Sequence, residues 1–135
     1  MPTEPGLLLL TFVVPGEAPS TLNLREHWSA AADRAKRTHS KVKLVAPRLR
    51  GSAPLCIRLT RTGYRRLDGD NLQGALKAHR DAVAKAYRFD DACPLVEWLY
   101  AQETDSDEQK HGVVVEVFCR PYLGEWGRGV MQPEA

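Results

Sequence analysis

The chain predicts a single α/β (α+β) domain, a mixed sheet of about four strands with helices packed on it. The elements run in the order β-α-β-α-β-β. Three observations carry this. A length of 135 residues suits one hydrophobic core and not two. Four apolar runs of strand length end in Pro, Gly or charged turns. Two long proline-free segments have helical character.

Residues 7–14, LLLLTFVV, read as a buried first strand closed by Pro15-Gly16. The run has no basic leader, follows Glu4 and passes straight into a PGEAPST loop. That argues against a targeting signal. From about Leu22 to Val45 the sequence is Ala-rich and charged, without Gly or Pro, and reads as a helix broken by Pro47 and Gly51-Ser52. Residues 55–61, LCIRLTR, alternate as a half-exposed strand does. Leu55, Ile57 and Leu59 then face the core, Cys56, Arg58 and Thr60 face away, and Arg61 sits near the strand end.

A second helix is expected from about Asn71 to Tyr87. At about 100° per residue, Leu72, Leu76, His79 and Val83 share an apolar face, and His79 reads as packed there. Gly74, Lys77 and Asp81 fall on the opposite face, on the side of Asp70. Strands over about 95–102 and 113–118 flank a charged turn, ETDSDEQKHG. Residues 1–120 make up the domain. The segment 121–135, with three glycines and two prolines, reads as a loose tail. Trp28 and Trp98 read as core residues.

Charge is segregated along the chain. Arg25 to Arg66 holds twelve Lys/Arg against two acids, and Asp90 to Glu116 holds eight acids against Lys110 alone. A basic block beside an acidic centre suits a polyanion partner and a bound cation. Cys56, Cys93 and Cys119 are odd in number and widely spaced, which disfavours a disulfide framework or zinc site and suits a reducing cytoplasm. No apolar run approaches membrane-spanning length, so no membrane partner is expected.

The stretch RRLDGDNLQGALKAHRDAVAKAYRFDD, residues 65–91, concentrates the chemistry. Asp70, with Gln73 three residues on, has the pattern of a helix cap. A cap leaves Asp68, Asp90 and Asp91 unexplained. A calcium loop fails, because Leu72, Gln73 and His79 stand where ligand, glycine and glutamate belong. Magnesium fits better. In an extended segment Asp68 and Asp70 point to one side and converge on a hard cation. Asp90 or Asp91 supplies a third carboxylate if the helix folds back, and Lys77 projects towards the same place. Carboxylates, Mg2+, a lysine and surrounding arginines are the parts of a phosphodiester hydrolase. Beside such a site, Arg34, Lys36, Arg37, Lys41 and Lys43 suit phosphate contacts.

Arg65-Arg66 leading into Asp68-x-Asp70-Asn71-Leu72, then Lys77, Asp81 and Asp90-Asp91, resembles the RusA family of Holliday junction resolvases. Pro19-Ser20 and Asn23 after a strand are similar to the family's opening, and the likeness spans about residues 7 to 119. The resemblance implies Asp68, Asp70 and Asp91 as catalytic carboxylates and Mg2+ ligands, and Lys77 as the catalytic lysine. It implies Asp90 as an added ligand or neighbour. From their charge beside the acidic site, Arg65, Arg66, Lys36, Arg37 and Lys41 are expected as the DNA contacts. One departure stands out: Lys77 follows the Asn-Leu pair three residues later than in the family pattern, with Gly74 at the nearer position. That is almost one helical turn, so Lys77 faces the same way, about 4.5 Å further along the axis. The implied activity is Mg2+-dependent cleavage of four-way junction DNA by a symmetric homodimer. The rivals are a catalytically silent DNA-binding module and a related nuclease acting on flaps or RNA.

Overall fold

A computed structural model of the chain describes residues 6–19, 28–49, 54–90 and 92–120. Strand β1 (Leu7–Pro15) leads to helix α1 (Trp28–Val45), then β2 (Leu55–Gly63), α2 (Gly69–Ala86) and β3 (Val96–Thr104). A short 3-10 turn, Glu108–Lys110, precedes β4 (Gly112–Cys119). The described residues form one small α+β unit with the expected element order.

The sheet order is β1-β4-β2-β3. β2 and β3 are parallel, as a strand-helix-strand unit requires, and β4 runs antiparallel to both β1 and β2. Both helices lie on one face: α1 packs on α2 and β1, and α2 on β2 and β3. Between helices and sheet lie Phe12, Val14, Ile57, Leu59, Val115 and Val117, with Leu76 and Val83 from α2. This is the apolar face expected of the second helix, and His79 is buried in it.

One expectation is corrected. The first strand is not buried throughout: it is a sheet edge, with Leu7, Leu8 and Val13 exposed and only Phe12 and Val14 sealed. A continuous apolar run does not distinguish a central strand from an edge strand that covers one face. Arg61 lies near the end of β2, as expected. The period of two that buries Leu55, Ile57 and Leu59 continues to it, and it is 2% exposed. The expected start of the first helix before Trp28, and the tail 121–135, lie outside the described residues.

Candidate nucleic-acid and metal site

The stretch between β2 and α2 is tied down from two sides. Leu67 donates its amide to Gln102 Oε1 at 2.7 Å and accepts from Gln102 Nε2 at 2.6 Å. Arg61, buried below, donates to Ala18 O at 2.6 Å, Arg65 O at 2.9 Å and Glu17 Oε1 at 2.9 Å. Gly63 makes room for it, since a Cβ there would lie 2.7 Å from the guanidinium. The path that delivers Asp68 and Asp70 to the surface is therefore held by side chains of β2 and β3.

Asp68, not Asp70, caps α2. Its backbone is extended (φ −71, ψ 170) and its Oδ1 accepts from Asn71 N at 2.9 Å. The helix begins at Gly69, two residues earlier than expected, which places Asp70 inside the first turn. The same-side argument for Asp68 and Asp70 needed extended backbone, and Asp70 is helical, so it does not apply. The two carboxylates share the N-terminal end of α2, both exposed.

The far end of α2 holds a second correction. Its 18 residues extend about 27 Å. Asp90 follows that end, where its Oδ1 accepts from Ala92 N at 2.9 Å and its carbonyl accepts from Cys93 N at 2.9 Å, turning the chain into β3. The helix does fold back beside the strands, and doing so carries Asp90 away from Asp68 and Asp70. Asp91 lies outside the described residues. Among the described residues, no three or more of His, Cys, Asp and Glu gather as a metal would need.

Mg2+ characteristically takes one or two carboxylates and keeps waters for phosphate oxygens to displace. Asp68 and Asp70 fit that donor set: the cap bond engages Oδ1 of Asp68 and leaves Oδ2. The helix N-terminus contributes about +0.5 charge against the two carboxylates, so the end stays attractive to a cation.

Gly74, Lys77 and Asp81 share one face of α2, as expected, and line a groove of about 610 Å³ between the helices. Arg34, Arg37 and Lys41 of α1 line the opposite wall, with Glu17 at one end. Lys41 Nζ donates to Pro15 O at 3.2 Å. Asp70 stands one turn before Gly74 on the same helix face. Arg65 and Arg66 are exposed on the approach to Asp68. Lys36 is exposed but does not line this groove: at about 100° per residue it points away from the face of Arg37 and Lys41.

His79 borders this groove from the core side. Burial, then the charge of Lys41, pulls its pKa from 6.5 down to about 4. It stays neutral near pH 7, as a packed residue should. Trp98 packs against the core and Phe89, with the Arg80 guanidinium 5.0 Å over its ring, so it is no open stacking platform. Nothing is assigned to the Trp28 side chain, which lies outside the described residues.

Sequence reasoning missed one cluster at the Asp68 end of the sheet. Glu17 pairs with Arg61, and its other oxygen lies 3.8 Å from His111 Nδ1. His111 Nε2 lies 2.7 Å from Asp105 O, and its ring meets Tyr64 edge-on at 4.2 Å. The available signal was the continued alternation from Leu59 to Arg61.

No family model, curated protein or solved structure matches the chain. Among the described residues, no helix is long and apolar enough to cross a membrane.

Proposed function

We propose that this chain is a Mg2+-dependent, structure-selective DNA endonuclease that resolves four-way junctions by paired phosphodiester hydrolysis, of the RusA type. The observation that carries the reading is the groove: Lys77 of the motif helix faces Arg34, Arg37 and Lys41 of the basic block across it. Asp70 lies on the same helix face, about two turns before Lys77.

When bound, Mg2+ would activate water and offset charge developing on the phosphate. Asp68 and Asp70 would hold it, and Asp91 is the third carboxylate implied by the resemblance. Lys77 supplies positive charge to a phosphate oxygen, and Arg65, Arg66, Arg37 and Lys41 position the backbone. Because Asp90 sits at the far end of α2, a carboxylate from that end reaches Asp68 and Asp70 only from a second protomer. A homodimer then completes each site as well as pairing the cuts. The free thiols of Cys56, Cys93 and Cys119 suit a cytoplasmic setting.

The test is cleavage of junction, flap and duplex DNA with Mg2+ and with EDTA. Junction cleavage that needs Mg2+ and is lost in Asp70→Asn is expected. Junction binding indifferent to Mg2+ and to Asp70→Asn, with no cleavage, would instead mark a silent binding module. Faster cleavage of flaps or RNA would move the substrate.

A further inference from the structure

We propose that a second groove, at the C-terminal ends of α1 and α2, is a further binding site for the phosphodiester backbone of a nucleic acid, held by Lys43, Arg48, Lys85 and Arg88. The choice of polyanion rests on the nuclease reading above. This groove encloses about 850 Å³, and no carboxylate lines it. All four cations are exposed, and none makes an ion pair among the described residues. His39 borders both grooves, which lie against successive stretches of the two helices. Lys77 and Lys85 stand eight residues apart on α2, about 12 Å along its axis. Successive base pairs rise about 3.4 Å, so a strand reaching from one groove to the other passes about three phosphates between them.

The ordinary explanation for such cations is compensation of helix dipoles. Two C-termini present about −0.5 charge each, roughly one unit in all. Lys43 and Lys85, in the last turns, answer that need. Arg48 and Arg88 lie beyond both helix ends and exceed it.

Arg88 carries a second sign. The α2 terminus closes as a Schellman motif, with Phe89 N bonding Ala84 O at 3.0 Å and Arg88 N bonding Lys85 O at 3.2 Å. The pivotal residue of that motif takes a left-handed backbone and is usually glycine. Here it is Arg88, with φ 60. Conformational strain is borne at a residue whose charge faces the groove. The floor, with Ala46, Ala82 and Ala86, has small side chains that let a sugar-phosphate chain approach the helices.

The experiment uses the full chain and a labelled four-way junction, with anisotropy read from 50 to 200 mM KCl. The variants are the quadruple Lys43→Gln, Arg48→Gln, Lys85→Gln, Arg88→Gln and the charge-keeping pair Arg48→Lys, Lys85→Arg. Each lost phosphate contact removes about 0.7 to 0.9 from the slope of log K against log salt, so the quadruple variant flattens it by about 3. The charge-keeping pair should retain the wild-type slope. Arg88→Gly alone should weaken binding without lowering Tm, which separates charge from folding. A wild-type chain that binds, with an unchanged slope in the quadruple variant, overturns the second site and leaves the nuclease reading standing. A wild-type chain that binds no nucleic acid at 50 mM KCl overturns both. Tighter binding of a poly-glutamate of equal charge would overturn the nucleic-acid assignment in favour of an acidic protein.

Discussion

If the chain forms the proposed homodimer, the decisive mixture is Asp70→Asn protein with Asp91→Asn protein, allowed to exchange protomers. Asp70 lies in the first turn of α2, and Asp91 is joined by one peptide bond to Asp90, beyond its last turn. The helix between them is about 27 Å long. Ligands of one Mg2+ sit about 2.1 Å from it. An aspartate side chain reaches only a few ångströms, so the helix holds the two ends far outside shared coordination within one protomer. If both residues serve one ion, they come from different protomers. Random exchange makes about half the dimers mixed, and each mixed dimer then has one site with both native carboxylates and one with neither. About a quarter of all sites should be active, although each parent variant is dead. With one live site per mixed dimer, a cruciform plasmid should be nicked rather than linearised. The assay is gel separation of nicked and linear product, with exchange verified by mass spectrometry. A mixture as inactive as its parents, with exchange complete, would refute the shared site. Wild-type cleavage by either parent would refute that carboxylate's role.

Arg61→Met should cost about 3 kcal/mol, because it leaves two carbonyls, Ala18 O and Arg65 O, without their donor; the half-exposed Glu17 partner adds little. Urea unfolding checks it, and a loss under about 0.5 kcal/mol would show that Arg61 does not hold the Asp68 loop. His79 makes stability depend on pH: its contribution is full above 6.5 and is lost as pH falls towards about 4, since the unfolded chain takes up the proton first. By pH 4.5 this amounts to about 2 to 3 kcal/mol, and His79→Gln should remove that difference from denaturation curves measured at pH 7 and 4.5. Asp68→Ala should cost about 1 kcal/mol through the lost cap while Asp68→Asn keeps it, so equal melting temperatures for the two would contradict the capping role.

Much of the fold was legible because its elements are locally marked. Strands β2 and β4 are β-branched or leucine runs bounded by Pro or Gly, and the apolar spacing of α2 announces one buried face. The strand order was not legible: β4 slots between β1 and β2 through pairings with residues far away in sequence, and no local pattern encodes that. The start of α2 failed for a different reason. Asp68 and Asp70 are both good caps, and intrinsic propensity disfavours a helix beginning on Gly69, yet the Gln102 and Arg61 tethers fix the chain so that Asp68 takes the cap. The separation of Asp90 from Asp68 was available from the outset, since the expected helix length times 1.5 Å already exceeds any shared coordination distance.

On the proposed reading, the layout also bears on a problem such a nuclease would face: carboxylates that hold a cation repel the phosphates they must act on. Two like charges about 7 Å apart in water cost roughly 0.6 kcal/mol, and more where water is excluded. Segregating the charges along α2 answers that. The acidic pair sits at its N-terminus, Lys77 faces Arg34, Arg37 and Lys41 along its middle, and Lys43, Arg48, Lys85 and Arg88 close its far end. Against the eight cations lining the two grooves stand Glu17 and Asp81, and Glu17 is already paired with Arg61. A strand laid across the two grooves is held by charges set apart from the acidic pair at the N-terminus of α2. Neutralising the far cations should therefore weaken capture of DNA and leave the chemical step intact, whereas neutralising Asp68 or Asp70 should do the reverse.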